Sequence, residues 1–247
     1  MWRVVGVVDY GARMTNFVLV PGAWLGAWAW DEVAEPLTRD GYDVVAVTLS
    51  GLADRRGDDA ALVGQARHVD DIVSAVEDRD LREVVLVGHS YSGVPVGQAA
   101  ARIGDRLRRV VYVDSNVATD GQSFIGSLSP EGQAEVTRLI ADNGGLWPQP
   151  QAADYAGQDL SDEAIALIVE RSTPHPSLAL SEPVELVRPI AELPSTYIKC
   201  LMNGDQPSDD VKALLESPNW ELVELDTGHW PMFSRPVELA KVLGELG

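Results

Sequence analysis

Six short runs of apolar, largely β-branched residues recur along this chain, and their spacing is the strongest constraint on how it folds. They are FVLV (17–20), DVVAVT (43–48), EVVLVG (83–88), RVVYVD (109–114), TYIKCLM (196–202) and WELVELD (220–226). Runs this short and this apolar suit strands buried on both faces. Between them lie stretches with helical spacing. WDEVAEPLTRDG stops on Gly41, HVDDIVSAVEDRD precedes the third run, and PVELAKVLGEL closes the sequence. Strands alternating with helices imply right-handed crossovers, so the expected class is α/β: a mainly parallel sheet of about six strands flanked by helices.

One long segment, residues 117–194, breaks the alternation. It holds no convincing strand, but SPEGQAEVTRLIADNGG and LSDEAIALIVERS have amphipathic helical patterns. The expectation is a helical cap (117–194) inserted after the fourth strand of a core made of residues 14–116 and 195–247, because inserts of this kind cover active sites. The first thirteen residues, MWRVVGVVDYGAR, are set apart as an N-terminal extension. Met14 opens a second plausible start, so the extension is either an added edge strand or an upstream start of little structural use, and the second is favoured.

Composition narrows the partners. At 247 residues and 45% hydrophobic content the chain can bury one substantial core. Its formal net charge of −19 repels nucleic acid and anionic membrane surfaces, and basic runs are absent, so neither partner is expected. Lysine occurs only at Lys199, Lys212 and Lys241. The arginine bias fits a GC-rich bacterial genome as well as any physical demand. No apolar run approaches the roughly 20 residues that span a bilayer, and no secretory signal pattern opens the chain. The expected location is cytoplasmic. Cys200 is the only cysteine, which excludes an intrachain disulfide and a cysteine-based zinc site. It is expected to be a buried strand residue without a catalytic role.

Chemistry in a doubly wound sheet gathers at the carboxyl ends of the strands. The first run ends in Pro21, Gly22, Ala23 and Trp24, the third in VGHSYSG around Ser90, the fourth in Asp114, the fifth in Asn203 and Asp205, and the sixth in Gly228 and His229. VVLVGHSYSGVPV (84–96) has the form of a nucleophile elbow, a strained strand-to-helix turn that lifts a serine hydroxyl above the sheet. Its second glycine is displaced: Ser92 stands in that position and Gly93 follows. A serine hydroxyl needs a base to take its proton, and His229 is the histidine at a strand exit late in the chain. His68, on a helical segment, reads as a packing residue; His89 supports the elbow; His175, in TPHPS, could reach the site from above.

These features together resemble the α/β-hydrolase superfamily, and within it the small capped esterases related to plant methylesterases and hydroxynitrile lyases. The resemblance runs from Met14 to the C-terminus and rests on LVPGAWLGAWAW, LSGLADRR, VGHSYSG, VYVDSNVATDGQSF, TYIKC and DTGHWPMFSRPVELA. It implies a triad in the order Ser90, acid, His229, with backbone amides of Ala23 and Tyr91 as the oxyanion donors. Pro21 stands where many relatives carry histidine, but it is not the donor. The family acid usually follows the penultimate strand, which suggests Asp205. Gap-free alignment from Cys200 instead puts that position on Asn203, so Asp114, at the end of the preceding strand, is favoured and Asp205 is the alternative. Trp24 and Trp230 are expected to line an apolar substrate pocket, whereas Trp28 and Trp30 are expected in the core.

The resemblance implies a cofactor-free and metal-free serine hydrolase that cleaves a small hydrophobic carboxylic ester, or a related lactone or thioester, through an acyl-enzyme. A homodimer is carried as an expectation. One alternative is a hydroxynitrile-type lyase using the same serine and histidine. Such lyases need a lysine near the acid loop to hold cyanide, and Lys199 lies inside a strand. The other is a non-catalytic member of the fold that binds a small ligand, against which the joint presence of Ser90 and His229 argues.

Overall fold

A computed structural model describes residues 15–57 and 59–247; the expectation for residues 1–13 lies outside the described residues. All six apolar runs form strands. In chain order the elements are β1 (Asn16–Val20), α1 (Asp31–Arg39), β2 (Asp43–Ala46), α2 (Gln65–Glu77), β3 (Val84–His89), α3 (Gly93–Ile103) and β4 (Leu107–Val113). The intervening segment contributes α4 (Pro130–Asp142), β5 (Leu146–Trp147), α5 (Asp162–Arg171), β6 (His175–Pro176) and α6 (Ser177–Ser181). The chain then returns to the sheet through β7 (Ser195–Cys200), α7 (Asp209–Leu214), β8 (Trp220–Leu225), α8 (Pro231–Ser234) and α9 (Pro236–Leu246).

The main sheet has the order β2-β1-β3-β4-β7-β8, and each neighbouring pair is parallel. β1 leads outward to β2, after which β3 lies on the other side of β1. That reversal opens a crevice above the carboxyl ends of β1 and β3, the place where open α/β sheets bind ligands. The loop after β1 and the elbow after β3 both open there.

Strand alternation divides the core. Val18, Val20, Val84, Leu86, Val110 and Tyr112 point to one face and pack under α2 and α3. Phe17, Leu19, Val85, Val87, Val111 and Val113 point to the other, against α1 and α9. Helix α3 can lie close on the sheet because its turns are built from glycine, alanine and valine, and all but one of its residues are buried. Edge strand β8 shows the opposite character, with Glu221, Leu222 and Glu224 exposed.

The two helical patterns in the long segment correspond to α4 and α5. Each starts on a serine whose hydroxyl accepts from the amide three residues on, Ser129 from Gly132 at 3.1 Å and Ser161 from Ala164 at 3.1 Å. The segment also contains strand structure that its sequence does not suggest. β5 and β6 form an antiparallel pair of only two residues each, with Trp147 opposite His175. A pair that short has no apolar run of its own, and tertiary contacts hold it in place.

Candidate active site

Ser90 sits at the turn between β3 and α3 with φ of 54°, in the left-handed region that non-glycine residues avoid. Trp24, at φ 67°, and Asp114, at φ 42°, share this strain. All three lie at carboxyl ends of central strands.

Ser92 is tolerated at the displaced glycine position because its side chain closes the turn. The Ser92 hydroxyl accepts from the His89 amide at 3.1 Å and lies 2.9 Å from both Val20 O and His89 O, to which it can donate. The tight approach falls one residue later: a Cβ on Gly93 would lie 2.1 Å from Asn116 O. Gly22 is constrained in the same way, since a Cβ there would lie 2.7 Å from His89 Nδ1 and 3.0 Å from Ser90 Cβ. The loop after β1 therefore passes directly against the serine.

The Ser90 hydroxyl donates to His229 Nε2 at 2.9 Å, and His229 Nδ1–H donates to Asp114 Oδ2 at 2.7 Å. Asp205 is exposed in the loop after β7 and is not part of this chain of bonds. Asn203, at the position where the family resemblance puts the acid, contributes an amide instead, donating from Nδ2 to Asp114 Oδ2 at 2.8 Å. The second Asp114 oxygen accepts from Lys199 Nζ at 2.9 Å, and the lysine and aspartate side chains are only 5% and 2% exposed. Burial alone would raise the Asp114 carboxyl, but the bonds and charges of His229 and Lys199 outweigh it and bring the group down to about 2. Asp114 is thus an anion throughout the physiological range.

The other histidines are held neutral. His89 is buried, its Nε2–H donates to His229 O at 2.8 Å, and burial followed by the charge of His229 lowers it to about 3. His68, buried on α2, bonds the Tyr91 hydroxyl at 2.8 Å and is lowered to about 4, chiefly by burial. His175 is fully buried 4.4 Å from the Tyr91 ring, and burial lowers it well below the usual range. Its Nδ1 accepts from the Trp24 amide at 3.3 Å, while Thr173 N–H donates to Trp24 O at 3.0 Å. The Trp24 ring rests on Trp147 at 4.2 Å. Thr173, His175 and Trp147, in and beside this strand pair, therefore grip Trp24 by carbonyl, amide and ring.

Ala23 and Tyr91 are both buried, and Trp230 stands edge-on to His229 (4.8 Å) and Tyr155 (4.7 Å). Trp30 is fully buried, but Trp28 is only half-buried and lies under the Arg171 guanidinium at 4.7 Å. The segment after β4 also reaches the histidine loop. Gln158 Oε1 accepts from the His229 amide at 2.7 Å, and a Cβ on Gly228 would lie 2.3 Å from Gln158 O. A depression of about 510 Å³ lined by Trp28, Thr48, Ala53 and Arg171, among others, contains neither Ser90 nor His229. Among the described residues no group of three or more His, Cys, Asp or Glu is placed to hold a metal, and no helix is long and apolar enough to cross a membrane.

A family model described as the alpha/beta hydrolase family matches residues 17–242, nearly the whole chain. The chain belongs to the alpha/beta hydrolase family. It is similar to a carbendazim hydrolyzing esterase from Nocardioides sp. (strain SG-4G), 30% identical over 95% of this chain and 100% of the relative. Methyl jasmonate esterase 1 of Vitis vinifera is 27% identical over 95% of this hydrolase and 97% of its own length. Putative methylesterase 13 of Arabidopsis thaliana is 26% identical, and this chain spans 57% of it. Among solved structures, an extracellular alpha/beta-hydrolase from a Paenibacillus species has a TM-score of 0.82 at 21% identity, covering 94% of this hydrolase and 99% of that chain. That likeness is one of fold.

Proposed function

We propose that this hydrolase cleaves a small hydrophobic carboxylic ester, a methyl ester in the first instance, by way of an acyl-enzyme on Ser90. The observation that carries the reading is the unbroken bond chain from Ser90 Oγ through His229 to Asp114 at the rim of the sheet. In this reading His229 takes the Ser90 proton as the oxygen attacks the ester carbonyl, and Asp114 fixes the histidine tautomer and stabilises the imidazolium. The negative charge on the carbonyl oxygen falls to the backbone amides of Ala23 and Tyr91, which flank the serine on rigid turns. His229 then returns the proton to the leaving alcohol, and a water repeats the sequence to release the acid. No step calls for a cofactor or a metal.

Substrate preference follows from the lining. Trp230 packs on the His229 ring and Trp24 lies in the loop that passes Ser90 at Gly22, with Trp147, Phe124 and Tyr155 packed against them or each other, so the site favours an uncharged, apolar acyl group. The segment 117–194 serves as a cap whose Gln158 and His175 reach the two catalytic loops. The esterase and methylesterase names of the relatives support the ester class. The lyase alternative is weaker, because Lys199 spends its donors on Asp114 Oδ1, Cys200 O and Asn203 O and has none for a ligand.

Incubation with a fluorophosphonate followed by peptide mass spectrometry tests the assignment. Covalent capture of Ser90 in the wild type, with none in Ser90→Ala, is the expected result; an unlabelled Ser90 in folded protein would reject it.

A further inference from the structure

Lys199 is a cation in the interior of the central sheet, and ester cleavage as described above makes no use of it. Its Nζ donates at 2.9 Å to each of three acceptors: Asp114 Oδ1, Cys200 O and Asn203 O. An ammonium has three N–H groups, so the group is saturated, and a lysine is almost never buried without such pairing. Asp114 turns its other oxygen to His229. The carboxylate is therefore shared between the Lys199 side chain behind it and the His229 imidazole in front of it.

We propose that Lys199 is a positioning residue for the Ser90, His229 and Asp114 relay: it fixes the carboxylate from behind and offsets its charge, keeping the histidine available as a base in mildly acidic solution. This rests on Ser90 being the nucleophile. An isolated carboxylate would favour the imidazolium in the resting enzyme as well as in the transition state, removing the base as pH falls. A carboxylate already paired with an ammonium pulls less on the proton in both states. The enzyme gives up some stabilisation of the imidazolium and gains a wider acidic range.

The surrounding groups do not supply this effect. On β7, Tyr197 and Cys200 are both pushed well up by burial and are neutral. His89, packed on His229 at 4.8 Å, is neutral above about 3. Glu224 is the register partner of Lys199 on edge strand β8, and it and the loop residues Asp205 and Asp226 are exposed to solvent, where their influence is screened. Asn203 carries no charge. Among the described residues, Lys199 is the buried basic side chain bonded to the far oxygen of Asp114.

The test is the rate of fluorophosphonate capture of Ser90 from pH 5 to 9 in wild type, Lys199→Met and Lys199→Gln, with the melting temperature of each protein recorded. Both variants remove the charge, and glutamine retains a donor for the loop carbonyls. The expected result is an acid limb displaced to higher pH by roughly half a unit to one unit in both. Folded variants whose acid limb coincides with that of the wild type overturn the proposal, because a purely structural lysine would lower the plateau without moving the limb. If neither single variant folds, the double variant Lys199→Met/Asp114→Asn decides: recovered folding supports charge compensation, and continued failure assigns Lys199 to the framework. Absence of capture in the wild type would reject the nucleophile itself and this inference with it, an outcome distinct from an unmoved limb in labelled enzyme.

Discussion

Asp114 meets its partners one oxygen at a time, and the two faces of its carboxylate carry different demands. Toward His229 it must accept and hold charge; toward Lys199 it must remain an anion or strand a buried cation. Asp114→Asn keeps the shape but loses the charge and can present a donor to the imidazole, so kcat should fall by orders of magnitude, up to roughly ten-thousandfold. Asp205→Asn should stay close to wild type, since that side chain is exposed and remote from the bond chain. Steady-state kinetics on a methyl ester compares the two, and a crippling Asp205→Asn beside an active Asp114→Asn would reverse the assignment. Ser90, His229 and Asp114 were each legible as candidates at strand exits, and the structure joins them by hydrogen bonds. Which carboxylate bonds His229 was harder to read, because sequence spacing cannot say which of two neighbouring loops curls toward the histidine. Lys199 and Asn203 were not legible as partners of the acid. A lone lysine in TYIKC looks like an outward-facing residue, and only the packing of β4 beside β7 brings it to Asp114.

At the scale of elements, β6 and its flanking residues act on the loop after β1 rather than on the reacting atoms. His175 Nδ1 holds the Trp24 amide, one residue beyond the oxyanion donor Ala23 of the proposed mechanism. Burial keeps this histidine neutral and so keeps Nδ1 an acceptor. His175→Ala should lower kcat by roughly tenfold or more with a smaller change in KM, in keeping with the value of a well-placed oxyanion donor. His175→Asn should recover part of the loss, because its amide oxygen can accept from the same N–H. Equal kinetics for Ala and Asn variants would count against this role. The six sheet strands were legible from their short β-branched apolar runs, although edge strand β8 interleaves apolar with acidic residues, and α4 and α5 because serine caps precede amphipathic patterns. β5 and β6 were hidden because two-residue strands owe their existence to Trp147, His175 and the loop they grip, contacts between residues far apart in sequence.

The molecule as a whole carries 38 acidic and 19 basic side chains, and that imbalance acts on every conformation with high charge density. Surface ion pairs such as Arg39 with Glu35 and Arg138 with Asp142 are exposed and contribute little each. Net repulsion should therefore outweigh them, and raising sodium chloride from about 10 mM to about 0.3 M should raise the melting temperature as screening shortens the reach of like charges. A melting temperature that falls with salt in calorimetry would mean that the ion pairs dominate. The contacts of segment 117–194 bear on how such a protein can be re-engineered. Thr173 and His175 hold the loop after β1, Gln158 holds the amide of His229, and Asp159 pairs with Arg235 at 2.8 Å. A chimera that imports this stretch from a relative to obtain new selectivity would also exchange the contacts that hold the loop after β1 and the loop carrying His229. Grafts should therefore be cut to leave residues 157–159 and 173–175 native, with diversity confined to the stretches between and outside them.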